Sequence, residues 1–196
     1  MGKVLEINPM SLNSGPGIRV EVILSNTDEG IELTPNELVD RIRKFRPYIE
    51  LNNGGVTFKG KDLFSQSEYL NEVCHICHKA GIPACIMCNA TKYNSEDILK
   101  YVDLVIIPIT GLPVYNYNNL SNIEFNNIEK FIKKVDSKNI PIYISQEIVK
   151  GINDNDNYIK ELKKYLKVYQ NIKQIDIIGN IEEESLDELR KVLNEV

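Results

Sequence analysis

Apolar and polar positions along the chain switch repeatedly between a period of two and a period near four. Ile18 to Ser25 is β-branched and apolar, as a strand buried on both faces should be. At Thr34 the period changes. Thr34-Pro35-Asn36-Glu37 is a capping box with proline at the first helical position, and it predicts a helix through about Tyr48. Gly54 to Gly60 (GGVTFKG) reads as a short strand. Ser65-Gln66-Ser67-Glu68 reads as a second capping box, opening a helix that Gly81 and Pro83 end. Pro83 to Asn89 is the next strand, Asn94 to Tyr101 a short helix, and Asp103 to Ile109 an apolar strand.

The second half repeats the alternation. A helix from Asn127 to Ser137 precedes a strand from Ile140 to Ile148. A helix from Asp156 to Tyr169 precedes a strand from Ile172 to Ile178, and a helix from Glu183 to Glu195 follows. Six strand–helix units of this kind call for a parallel sheet with helices outside it. Right-handed crossovers would curl such a sheet into a barrel or partial barrel. Periodicity alone leaves an open doubly wound sheet equally possible. The one long connection, 111–126, holds Pro113, Tyr115, Tyr117 and several asparagines, and follows a strand's C-terminal end, where active-site loops of such folds sit.

Length and charge narrow the classes. A chain of 196 residues supports one real core, so a single domain over 1–196 is expected. The net charge of −5 argues against a nucleic-acid or anionic-membrane surface, which would want a basic face. No apolar run approaches the roughly 20 residues that span a bilayer. Glu6 interrupts the apolar stretch a signal peptide needs and also breaks the myristoylation pattern after Met1-Gly2. Four cysteines without a secretion signal read as reduced thiols, so a cytoplasmic protein is expected.

The run Ser14-Gly15-Pro16-Gly17-Ile18-Arg19 resembles D-G-P-G-I-R, the opening of glycyl-radical-enzyme activases. These are the pyruvate formate-lyase activating type of radical S-adenosylmethionine (SAM) enzyme. Asn53 to Asp62 resembles the family's G-G-V-T-x-S-G-G-E, with Gly60, Lys61 and Asp62 at the G-G-E. Cys77 to Asn89 resembles C-K-K-x-G-I-x-T-C-L-D-T-N-G, with Met87 at the aspartate and Asn89 matching. Asp103 to Thr110 resembles D-L-V-x-x-D-x-K, with Pro108 and Thr110 at the polar pair. Further on, Ile144-Ser145 stands where the family has Ile-Arg, and Gly151 to Asp154 resembles its P-G-x-x-D turn. Ile175 to Ile178 stands where a strand ends in a histidine. The likeness is dense over 14–110 and thin but collinear to about 180.

One family feature is missing. The strand after the opening motif should lead into C-x-x-x-C-x-x-C, yet no cysteine precedes Cys74. A four-iron cluster needs thiolate ligands, so this segment cannot build the family's site. The resemblance implies a (β/α)6 partial TIM barrel of the radical SAM type, and a SAM pocket reduced to Gly60, Asp62 and Asn89. It also implies that no cluster and no other cofactor is bound, and that no residue is catalytic. A non-catalytic protein-binding or regulatory module of anaerobic metabolism is the resulting expectation. Its partner would be a glycyl-radical-type enzyme, an active activase or a second copy of the chain. The alternatives are an activase whose cluster is held by other cysteines or by a partner chain, and a SAM sensor.

Cys74-x-x-Cys77 and Cys85-x-x-Cys88 carry metal-like spacings. The first pair falls on a predicted helix and shares a face. The second falls on a predicted strand, where an odd separation puts the sulfurs on opposite faces. Buried apolar thiols are therefore expected, with no metal. Cys74 to His78 also spells C-x-x-C-H, but inside a continuous amphipathic helix this is not a haem attachment site. His75 and His78 are expected to face solvent. Gly15-Pro16-Gly17 and Gly54-Gly55 match no phosphate-binding fingerprint and read as tight turns. Glu182 to Glu184 suits the positive end of the last helix. The Tyr-Asn tract at 115–119 reads equally as a recognition loop or a solvated one.

Overall fold

In the computed structural model, which describes residues 1–95, 97–109, 111–112, 120–179 and 181–195, the apolar run at 18–25 is a strand flanked on both sides. The chain divides into two compact units, Met1–Cys88 with Lys92–Ile106, and Asn89–Thr91 with Ile107–Val196.

The first unit contains β1 (Gly2–Ser11), β2 (Arg19–Leu24), β3 (Ile31–Leu33), β4 (Gly55–Lys59) and β5 (Ala84–Met87). It also contains the start of β6 (Leu104–Ile109), and its strand order is β3-β1-β2-β4-β5-β6. β2, β4, β5 and β6 are parallel, as the pattern predicts. The antiparallel pairing of β1 with β2 and β3 is not anticipated by the pattern.

The capping box at Thr34 forms: Glu37 N–H donates to Thr34 Oγ1 at 3.2 Å, and Thr34 N–H donates to Glu37 Oε2 at 2.8 Å. α1 (Pro35–Arg43) nevertheless stops short of Tyr48, and α2 (Arg46–Leu51) follows. Pro47 explains the break, since it has no N–H for the Arg43 carbonyl and its ring crowds that group. α3 (Ser67–Lys79) begins after a 3-10 turn at Phe64–Gln66, and the capping box expected at 65–68 does not form. Asp62 takes the capping role instead: its Oδ1 accepts the N–H of Phe64 at 3.2 Å and of Ser65 at 3.3 Å. The Ser65 hydroxyl donates to the Asp62 carbonyl at 2.8 Å. Gly81, at φ +68°, ends α3 as expected, donating its N–H to His78 O. No helix occurs at 97–101, where Ile98 and Leu99 are buried by a turn braced through Asp97.

The core of this unit follows strand parity. Val20, Val22 and Leu24 of β2, Val56 and Phe58 of β4, and Ala84 and Ile86 of β5 are all buried. Leu38, Val39 and Ile42 of α1 and Leu70, Val73, Cys74 and Cys77 of α3 are buried as well.

The second unit holds the rest of β6, α4 (Asn122–Ser137), β7 (Ile142–Ile148), α5 (Asp156–Leu166), β8 (Ile172–Gly179) and α6 (Glu183–Glu195). α4 begins five residues before the expected Asn127, because Ser121 and Glu124 form a capping box. β7 and β8 are parallel, with Ser145 opposite Asp176. Gln146 and Asn153 are fully buried. Tyr158 Oη donates to Gln146 Oε1 at 2.8 Å, and Asn153 Nδ2 donates to Glu147 O at 2.9 Å. Among the described residues no helix is long and apolar enough to cross a membrane.

Candidate functional site

On parallel strands in register, side chains two residues apart share a face. Glu21 lies opposite Thr57, which lies opposite Cys85, so Arg19 and Glu21, Thr57 and Lys59, and Cys85 and Met87 line one face of β2, β4 and β5. That face carries the buried polar groups. Arg19 donates from Nε to Thr57 Oγ1 at 2.6 Å, from Nη2 to Val56 O at 2.8 Å and Pro83 O at 3.3 Å, and from Nη1 to Pro16 O at 3.2 Å. Thr57 Oγ1 in turn donates to Ser14 O at 2.6 Å. The opening motif and the G-G-V-T motif are thus one structural device. Its glycines serve close backbone approach: a Cβ on Gly54 would lie 1.7 Å from Ile18 O, and one on Gly17, at φ +71°, 2.3 Å from Asn52 O. A bend with positive φ at Gly15 and Gly17 accounts for the first glycine run, as the sequence suggests, whereas Gly54 and Gly55 stand at the entry to β4 and serve close backbone approach.

Beside Arg19 sits a second charged group that the sequence reading passed over. Glu21 is 7 % exposed. Its carboxylate accepts from Asn8 Nδ2 at 3.3 Å and from the Ser14 hydroxyl, and faces Lys59 Nζ at 2.7 Å. Burial alone would raise its pKa. The bonds from Lys59, Ser14 and Asn8 outweigh burial and hold the carboxyl below its ordinary range. Lys59 is the member that reaches outward, its side chain 33 % exposed. A charge inside an otherwise apolar strand, Val20-Glu21-Val22-Ile23-Leu24, was the available clue, because such a group needs a buried partner.

The three residues assigned to a reduced SAM pocket each have a local structural task. A Cβ on Gly60 would come within 2.6 Å of Leu24 O. Asp62 caps the 3-10 turn, and its Oδ2 lies 3.8 Å from Lys92 Nζ. Asn89, in the second unit, accepts at Oδ1 from the N–H of Thr91 at 3.3 Å and from its hydroxyl at 3.1 Å, shaping a turn through Ala90 at φ +57°. Lys61 is exposed.

Where the resemblance would put the cysteine loop, residues 25–30 form a closed turn. Ser25 is buried and its hydroxyl bonds to Thr27; Lys3 Nζ meets Asp28 Oδ1 at 2.7 Å. Gly30, at φ +99°, packs against Val4 O. Gln66 fastens the turn from behind, accepting from Lys3 N–H at 2.8 Å and donating to Lys3 O at 3.0 Å and Ser25 O at 2.6 Å.

All four cysteines are buried. Burial pushes the Cys74 thiol well up, Cys77 to about 12 and Cys85 to about 11. Groups held as neutral thiols are poor metal ligands. No group of three or more His, Cys, Asp or Glu that could hold a metal occurs among the described residues. This donor set does not fit a four-iron cluster. His78 is exposed as expected, whereas His75 is half-buried and stacks on Tyr101 with ring centroids 4.4 Å apart. Of the long connection at 111–126, Gly111 and Leu112 are buried. Thr110 and the Tyr-Asn tract with Tyr115 and Tyr117 lie outside the described residues.

Solved structures share this architecture, two of them over most of this chain. A domain of pyruvate-formate lyase-activating enzyme from Bacteroides vulgatus matches with a TM-score of 0.63 at 20% identity, over 72% of this chain and 94% of that one. Archaeal TYW1 matches with a TM-score of 0.61 at 15% identity, over 90% of this chain and 71% of that one. The fold is therefore the mixed α/β partial barrel of the radical SAM proteins. No family model matches the chain. The pyruvate formate-lyase-activating enzyme of Clostridium pasteurianum is 29% identical over 194 residues, 91% of this chain and 82% of the relative. Within the radical SAM fold, the chain is a relative of the pyruvate formate-lyase-activating enzymes.

Proposed function

We propose that this chain is a non-catalytic relative of the glycyl-radical-enzyme activases that acts as a protein-binding or regulatory module in the cytoplasm of an anaerobically growing cell. The observation that carries the reading is the closed turn at 25–30, which has no thiolate to offer and is hydrogen-bonded to its surroundings. The scaffold beside it, from Arg19 to Thr57, is complete. A cluster would supply the radical chemistry, and the protein only binding and orientation. What is left is a surface that a related enzyme could occupy. A glycyl-radical-type enzyme, its active activase, or a second copy of this chain is the partner expected. Neither nucleic acid nor membrane is.

Anaerobic reconstitution with iron and sulfide tests the loss of chemistry. The expected product has substoichiometric iron and does not cleave SAM under reducing conditions. A stoichiometric four-iron spectrum with reductive SAM cleavage would refute the reading. Affinity purification from the native cell, kept anaerobic, tests the binding role. Recovery of an isolated monomer, together with no phenotype for Tyr115→Ala and Tyr117→Ala, would remove it.

A further inference from the structure

We infer that Glu21 and Lys59 close the shared polar face of β2 and β4 with the chain's own charges, so that the first unit is held together without a bound cofactor. The motif that Ser14 to Arg19 resembles has an acid at position 14, and the motif around Gly55 has a serine at position 59. Here position 14 is a hydroxyl and position 59 an ammonium, and the strand carries an acid at 21. The new charges find each other at 2.7 Å across neighbouring strands.

The group is closed in a chemical sense. Asn8 serves one carboxylate oxygen of Glu21; Ser14 and Lys59 serve the other. Ser14 is itself bonded to the Ser11 hydroxyl at 2.9 Å. Arg19 shares the face but is committed to Thr57, Val56, Pro83 and Pro16. Among the described residues of the first unit, Glu6 of β1 also lies on this face, pairs with Ile23 and is exposed; Lys3 and Glu32 pair with each other across β1 and β3, and Cys85 lies on β5. Gly60, assigned to the reduced SAM pocket, has Lys59 before it and the exposed Lys61 after it in the chain. Removing one member of a buried pair costs far more than removing both, because the survivor is left as an uncompensated charge.

The test is a double-mutant cycle of Glu21→Gln and Lys59→Met, read by urea unfolding of the full chain between pH 4 and 8 with no cofactor added. Lys59→Met alone should lower the folding constant at pH 7 by about 100-fold or more, and Glu21→Gln alone by less. The double variant should regain at least about tenfold over Lys59→Met. The pH dependence should also change. In the wild type the lowered carboxyl contributes stability above its unfolded pKa, and that contribution is lost as pH falls through the folded value. Without Lys59 only Ser14 and Asn8 remain to offset burial, so that contribution, and the loss of stability on acidification, should shrink. Millimolar SAM should leave the wild-type midpoint unchanged. If Lys59→Met does not fold at pH 7, recovery of folding in the double variant is the supporting result. A double variant no more stable than Lys59→Met, additive single effects, or a midpoint raised by SAM would each overturn the inference.

Discussion

Arg19 shows why a buried charge can be structural. Its guanidinium bonds to Thr57, Val56, Pro83 and Pro16, acceptors at positions a lysine cannot reach with one ammonium. Arg19→Lys should therefore lower stability by about 2 kcal/mol or more, through carbonyls left unpaired. Urea unfolding at neutral pH checks the figure, and an unchanged midpoint would show the fork to be dispensable. Asp62 makes the complementary case. Its alignment with a ligand-side glutamate suggested a SAM contact, yet its carboxylate caps a turn. Asp62→Ala should cost about 1 kcal/mol, as lost caps do, and should not alter the response to SAM. Calorimetry at millimolar SAM separates the roles. Micromolar affinity abolished by Asp62→Ala would mean a working pocket and a SAM sensor.

At the scale of elements, whatever rests on local chemistry could be read from the sequence. The capping box at Thr34, the stop at Gly81 and the parallel strands from β2 to β6 were all legible. What escaped depends on contacts distant in sequence or on a competing local rule. Pro47 split one helix into two, and Asp62 displaced the cap expected at Ser65. The capping box at Ser121 was present in the sequence, but the apolar period pointed to Asn127. β1 and β3 are strands because they pair with each other and with β2, which no local pattern announces. The same holds for the site: Arg19, Thr57 and Lys59 lie within the family-like motifs, but Glu21 and Lys59 become partners only once β2 and β4 align. The glycines mark the tightest such alignment. Gly54→Ala would drive a methyl into Ile18 O, and a loss of about 3 kcal/mol or more is expected. A variant as stable as the wild type in thermal unfolding would mean that this approach relaxes freely.

For the molecule as a whole, the open question is whether two compact units make one domain. The boundary between them falls inside β6: Leu104–Ile106 count with the first unit and Ile107–Ile109 with the second. Val105, Ile106, Ile107 and Ile109 are all buried. A continuous buried strand cannot be released at one end without exposing apolar side chains and unpaired backbone groups at the other, so the cost of separate unfolding is high. The chain is therefore expected to unfold in a single cooperative step, as one domain over 1–196. Hydrogen exchange in increasing urea reads this directly, through the amides of β4 and of β7. Protection in both strands should disappear over the same narrow range, with the same slope against denaturant. If β7 exchanges freely while β4 stays protected, the units are separate folding bodies and the single-domain reading fails.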